Sequence, residues 1–344
     1  MYAFGKSSSP HPTPVPARTT HRRGGVGRLV AWLATVTTLL SGAIVATQPA
    51  AFAATGTIYA QGNLTLPSGV LFLPDSTGGH VWESDHGLGF CRLDVPVGGG
   101  TASVNQATCN GGANIRSPGQ PSFDSLHSLV YVPDNAAQGQ GVWRLKLNPD
   151  GTLSDPLLLG GSLGGNRASA TALDSANNLY VAFGRNRNIL KVASPFAVTT
   201  TTPTTQTVGL VEDRRVGPAA MTMVNGTDLY LAEADGVSKI ANISSCTAQT
   251  TACTAQLTAI GVTAPVFITS DGSSKLFISD LTIVSRFNLA TKALDVYATG
   301  DGTNSFQNVS GLGLDSTGNL FVGDDTTAGN FILTGRVWKV PFTP

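Results

Sequence analysis

The sequence predicts an all-β fold: a ring of six four-stranded antiparallel sheets, a six-bladed β-propeller, closed by the N-terminal strand of residues 57–66 joining the last blade. Three observations predict it. A short apolar-aromatic-apolar strand recurs six times, as "HVWESD", "LVYVPD", "LYVAFG", "LYLAEA", "LFISDL" and "LFVGDD". Its aromatic residues, Trp82, Tyr131, Tyr180, Tyr230, Phe277 and Phe321, are spaced by 49, 49, 50, 47 and 44, the regular period of a repeat array. Each copy also has the same flanking strands, and the two ends of the chain complement one another.

In chain order, each unit opens with a strand ending in a Gly, Asn or Ser turn, as in "ATALDSANN", "MTMVNGTD", "FITSDGSSK" and "GLGLDSTGN". These residues suit the tight turn that a hairpin needs. The aromatic strand follows, and then a strand with one basic residue: Arg92, Arg144, Lys191, Lys239, Arg286 or Lys339. Five units continue into a fourth strand, "TASVNQA", "TLSDPLLL", "TQTVGLV", "TAQLTAI" and "KALDVYA". The sixth ends just after "VWKVPF", and "TIYAQGNLTL", residues 57–66, is left over at the other end. Placing that segment as the outer strand of the last blade closes the ring and removes an exposed edge.

Residues 1–53 read as a cleaved export signal and 54–344 as a single propeller domain. Lys6, Arg18, Arg22, Arg23 and Arg28 precede the apolar run of residues 29–46, and Pro49 and the small-x-small site Ala51–Ala53 follow it. An uncleaved anchor is the alternative, because a run of about 18 apolar residues can just span a bilayer. "HRRGGVG" holds an arginine pair without the apolar residues expected after a twin-arginine signal, which favours ordinary secretion. Five of the 21 basic residues precede residue 54 and all 21 acidic residues follow it, so the exported part carries 16 against 21, a net charge near −5. Such a chain has no basic field for nucleic acid, and no membrane association is expected after cleavage. The expected product is an exported, periplasmic or extracellular monomer.

Cys91, Cys109, Cys246 and Cys253 all lie in the exported part, an even number that suggests disulfides in an oxidising compartment. Of the three pairings, sequence order favours Cys91 with Cys109 and Cys246 with Cys253.

"GLGLDSTGNLFVGDD" and "ATALDSANNLYVAF" resemble the apolar-Asp-x-x-Gly-Asn-Leu-aromatic-Val-x-Asp unit of NHL-repeat six-bladed propellers. "GGHVWESDHGLGFCRLD" is similar to blades of the streptogramin lyase group, which usually has seven blades against the six counted here. The resemblance covers residues 57–344 and implies the fold; propellers host many unrelated functions.

Three residues beyond each aromatic stand Asp85, Asp134, Phe183, Glu233, Asp280 and Asp324, five of them acidic, where the second strand of each blade ends. Such carboxylates either bond turn amides or form a ligand or cation ring at the mouth. Glu83 and His86 are peculiar to the first blade; with Asp85 they offer cation or acid-base chemistry, against an exposed polar loop as the plainer reading. In the third blade "FGRNRN" sets Arg185 and Arg187 on the same face, near the loops that bear Arg116, Arg167, Arg214 and Arg215. Converging arginines suit carboxylate or phosphate groups, unless the acidic neighbours pair with them. The sixth blade carries an insertion, "TTAGNFILTG", whose Phe331, Ile332 and Leu333 could form a lid, meet a partner or pack on their own blade. "GGSLG", Gly160–Gly164, matches a nucleophile elbow by letters but lacks the strand-turn-helix setting.

The preferred reading is a binding module for a protein, glycan or small ligand at the loop-bearing face, requiring no cofactor. The alternative is a metal-dependent lactonase, esterase or lyase using Ca2+ or Mg2+, similar to gluconolactonase and streptogramin lyase propellers. Against it, "GVLFLPD" lacks the Glu-Gly-Pro that the lactonase resemblance implies, and the paired histidines of the lyases are not visible.

Overall fold

The computed structural model describes residues 53–343 except 137–140, 161–166, 185, 211–217, 248–252, 263 and 329–331. Residues 1–52, all but the last residue of the expected export signal 1–53, and Arg185, Arg214, Arg215, Phe331 and most of "GGSLG" therefore lie outside the described residues. Among the described residues no helix is long and apolar enough to cross a membrane.

Six four-stranded antiparallel sheets form the blades. Blade 1 comprises Pro67–Leu73, His80–Asp85, Gly89–Asp94 and Ser103–Asn105. Blade 2 has Ser122–Asp124, Leu129–Asp134, Gly141–Leu147 and Leu153–Leu159. Blade 3 has Ala168–Leu173, Leu179–Phe183, Asn186–Val192 and Thr205–Leu210. Blade 4 has Ala220–Val224, Asp228–Glu233, Gly236–Ile240 and the two-residue Gln256–Leu257. Blade 5 has Phe267–Ser270, Lys275–Ser279, Val284–Asn288 and Leu294–Ala298. Blade 6 has Val309–Leu314, Leu320–Ala328 and Ile332–Val340, with Thr57–Gln61 as its outer strand.

The N-terminal strand closes the ring, with Thr57 opposite Lys339 and Gln61 opposite Arg336. It is shorter than residues 57–66: the chain leaves the ladder after Gln61, and Leu64 and Thr65 belong to the connection into blade 1. That connection is held from both sides of the seam. Gly335 of blade 6 donates its N–H to Leu64 O, and Asp85 of blade 1 accepts from Thr65 N (2.6 Å) and Leu66 N (3.3 Å).

Burial explains why the second strands are so apolar. A strand sandwiched between two neighbouring blades is covered on both faces, so its residues are apolar throughout instead of alternating. In blade 3, Leu179, Tyr180, Val181, Ala182 and Phe183 are all buried. The outer strand of blade 5 keeps one wet face and leaves Leu294 and Val296 exposed. The hydrophobic clusters accordingly lie between blades: Trp82 and Phe90 of blade 1 with Val130 and Leu145 of blade 2, and Phe321 and Val337 of blade 6 with Val81 and Leu93 of blade 1. Fully buried Trp82 and Trp338 contribute upward of about 2 kcal/mol each by removal of apolar area from water.

The axis is filled. Gln120, just ahead of the inner strand of blade 2, is 6% exposed. Its Nε2 donates to Ile268 O of blade 5 (2.9 Å), and its Oε1 accepts from Met221 N of blade 4 (2.7 Å). In a six-membered ring blades 2 and 5 face each other, so this side chain spans the centre. Glycines permit the close approach of inner strands: a Cβ on Gly119 would stand 2.0 Å from Ser169 O, and one on Gly313 would stand 2.5 Å from Val70 O.

Both disulfides join the pairs favoured by sequence order, Cys91–Cys109 and Cys246–Cys253.

Candidate functional site

The second-to-third strand turns and the connections between blades share one face, and the acidic positions at the ends of the second strands lie there. Each described Asp among them holds backbone. Asp85 also accepts from Gly87 N (2.6 Å) and Leu88 N (3.0 Å), and its Oδ1 from the Thr65 hydroxyl. Asp134 accepts from Ser117 N (3.1 Å) and Ala136 N (3.0 Å). Asp280 accepts from Thr282 N and Ile283 N, both at 3.0 Å. Asp324 accepts from Gln307 N and Asn308 N, both at 2.8 Å, and from Trp338 Nε1 (3.2 Å). Phe183 and Glu233 are buried at the equivalent strand ends. In blades 1, 2 and 5 these carboxylates fix the turn of their own blade, and in blades 1, 2 and 6 they hold the chain arriving from the blade before.

A second set of aspartates, at the opposite ends of the blades, explains the Asp of the repeated turn. Asp174 and Asp315 each accept from the amides two and four residues ahead, and Asp271 from those two, three and four ahead. These are Asx-type turns that pin the hairpin between first and second strands.

Glu83 and His86, close in sequence, have opposite fates. Glu83 is on the second strand of blade 1 and is fully buried, not in an exposed loop. Its cross-strand neighbour is Cys91, which packs with Phe321 and Val337 of blade 6, so Glu83 faces the seam between blades 1 and 6. Burial, with the charges of Asp85 and Asp325 adding to it, pushes its carboxyl well above the usual range. Asp325, one residue beyond the acidic position of blade 6, is pushed up to about 7 by burial, with Asp324 and Asp85 contributing and the Ser310 hydroxyl and Asn308 amide opposing.

His86 lies in the turn after that strand and is exposed, with Nδ1 3.3 Å from Ser117 Oγ. The protein around the ring lowers its pKa through desolvation, against the pull of Asp85 and Asp134. Arg116 is exposed on the connection into blade 2, and half-buried Arg167 immediately precedes the inner strand of blade 3, on the same face. Arg187 is half-buried near the start of the third strand of blade 3. The sixth-blade insertion continues the hairpin, pairing out to Ala328 opposite Ile332.

Sequence reasoning missed Gln120, Asp325 and Ser310. Gln120 carries a weak signal, a lone amide between Gly119 and Pro121; Asp325 is the second Asp of "LFVGDD", and Ser310 has no signal at all. Among the described residues no three His, Cys, Asp or Glu converge as a metal centre.

The chain matches no family model and no curated protein. Solved structures share its fold. A gluconolactonase from Xanthomonas campestris superposes with a TM-score of 0.55 at 11% identity over 83% of this chain and 87% of that one. The PQQ-bound aldose sugar dehydrogenase from Streptomyces coelicolor gives 0.53 at 12% over 84% and 99%, and a streptogramin B lyase 0.50 at 13% over 83% and 97%. At such identities the likeness is one of fold.

Proposed function

We propose that the protein is an exported binding propeller that takes a small molecule or glycan bearing a carboxylate or phosphate, on the side of its loop-bearing face formed by blades 1 to 3. One observation carries this reading. The connections into blades 2 and 3 bring Arg116 and Arg167 to the face where exposed His86 stands against Ser117. Guanidinium groups match planar anionic oxygens in a bidentate way, and an imidazole and a hydroxyl add directional hydrogen bonds. The oxygens of Asp85 and Asp134 are engaged by backbone amides, and exposed Arg116, whose Nε donates to Asn114 Oδ1 (3.3 Å), adds a guanidinium to the exposed imidazole on this face. Because Gln120 crosses the axis, the ligand rests on the rim and does not enter a channel. The leader sequence and two disulfides support export.

Calorimetry against uronic-acid oligosaccharides and sugar phosphates, with neutral sugars as controls, tests the reading. Anionic ligands are expected to bind, with affinity falling at least about tenfold in Arg116→Ala and in His86→Ala, as for loss of a charge-assisted contact. Equal indifference to anionic and neutral ligands overturns it.

A hydrolytic reading has one observation in its favour, the 3.3 Å approach of Ser117 Oγ to His86 Nδ1, which resembles a hydroxyl nucleophile beside its base. Turnover of lactones or esters that disappears in both Ser117→Ala and His86→Ala selects it; ligand binding without turnover selects the binding role.

A further inference from the structure

We infer that the seam between blades 1 and 6 holds a divalent-cation site for Ca2+ or Mg2+, built from Glu83, Asp325 and Ser310. Four oxygens carry the inference: Glu83 Oε1 and Oε2, Asp325 Oδ1 and Ser310 Oγ are all buried and make no hydrogen bond of normal geometry, the Ser310 hydroxyl lying beside the Asp325 carboxyl that it steadies. Glu83 is 0% exposed, and Asp325 and Ser310 are each 9% exposed. Buried polar atoms are almost always satisfied, so four orphaned oxygens on one seam ask for a ligand. The contrast with their neighbours is sharp, since Asp85 and Asp324 fill their oxygens with backbone amides.

The ladder brings these groups together. The inner strands of blades 1 and 6 touch through glycine backbone, a Cβ on Gly311 standing 3.0 Å from Gly69 N. Ser310 immediately precedes Gly311, and Glu83 pairs with Val70, the residue after Gly69. Asp325 N donates to Asn308 O, which ties it alongside the same inner strand. Successive strand residues point to opposite faces. Asp324 bonds the Trp338 indole, whose cluster is shared with blade 5, so Asp325 faces blade 1.

The donor set selects the metal. It is all oxygen, with no imidazole or thiolate, which suits hard cations and not zinc or copper. Two carboxylates balance the charge of a divalent ion. A shell completed by the hydroxyl and by backbone or water oxygens is ordinary for Ca2+ and Mg2+, so three acidic ligands are not needed. A cation here pins the first blade to the last beside the strand that closes the ring.

The test uses the exported protein after chelation with EDTA. Calorimetry and terbium luminescence read binding of Ca2+, Mg2+ or Tb3+ alone, and thermal unfolding reads its effect. One equivalent is expected to bind and to raise the melting temperature. Glu83→Gln and Asp325→Asn, each checked for a native far-UV spectrum, are expected to weaken binding at least tenfold and to abolish the thermal shift. Should one variant fail to fold, the other decides. Absence of uptake by the folded wild type at millimolar metal, or undiminished uptake in a folded variant, overturns the inference. Anionic-ligand binding at Arg116 and His86 is read separately, so failure of either leaves the other standing.

Discussion

Arg144 stands directly opposite Tyr131 in the ladder of blade 2, and its Nη1 reaches out of that blade to Pro195 O (2.8 Å), Phe196 O (3.1 Å) and Val198 O (2.6 Å) of blade 3. The relationship repeats around the ring: Trp82 opposes Arg92, Tyr180 Lys191, Tyr230 Lys239, Phe277 Arg286 and Phe321 Lys339. Arg92 reaches Gly151 O of blade 2, Lys191 reaches Ser244 O of blade 4, and Arg286 reaches Thr343 O beyond blade 6. In four blades the repeated basic residue is thus a staple to the next blade, a role that its position in a repeat does not reveal, while Lys339 Nζ stands 5.6 Å over the Phe321 ring of its own blade. Lys239 departs from this and pairs with Asp228 of its own blade at 2.6 Å.

Replacing the staple should cost stability in proportion to the hydrogen bonds that the cation makes to the next blade. Arg144→Met removes a cation whose two Nη1 N–H groups are shared among three carbonyls and is expected to cost about 2–3 kcal/mol. Lys191→Met, which removes one bond of 3.4 Å, is expected to cost under about 1 kcal/mol. Urea unfolding of both variants checks the ranking, and equal costs would argue against stapling.

Gln120 must both donate and accept across the axis, and only an amide of that length does both. Gln120→Ala, Gln120→Leu and Gln120→Glu are each expected to destabilise the ring by about 2–4 kcal/mol, because each leaves Ile268 O without its buried donor. Glu retains the acceptor for Met221 N but brings a buried charge against Ile268 O. A stability unchanged in any of the three would mean that the axis is not sealed by this side chain.

The turn aspartates set the acid limb of stability. Burial alone would raise Asp271 and Asp315, but the hydrogen bonds they accept outweigh it and hold both below the ordinary carboxylate value. A depressed folded pKa gives stability that is fully present above the unfolded value, near 4, and is lost as pH falls through the folded one. The urea midpoint of the wild type should therefore drop more steeply between about pH 4 and 2 than that of an Asp271→Asn, Asp315→Asn double variant. Parallel profiles would sink the assignment.

Much of the fold was legible because a propeller writes its period into the chain. Aromatic and basic residues fall at equivalent positions since each blade solves the same packing problem, and the leftover segment before blade 1 matched the strand that blade 6 lacked. The candidate site was legible only in part. The sequence locates Glu83 and His86 three residues apart but not that one ends in the seam and the other in solvent, because that depends on the strand ending at Asp85 and on which neighbouring blade covers it.

By itself the sequence determined the six units, their strand order, the closing strand and the cystine pairs, all of which follow from local pattern and chain proximity. Only the tertiary structure decided which carboxylates are satisfied. Asp85 and Glu83 sit two residues apart on one strand, yet one is saturated by backbone amides and the other meets the face of blade 6 without a partner. Hydrogen-bond satisfaction depends on what the neighbouring blade presents, and residues as distant as Glu83 and Asp325 become neighbours only when the ring closes.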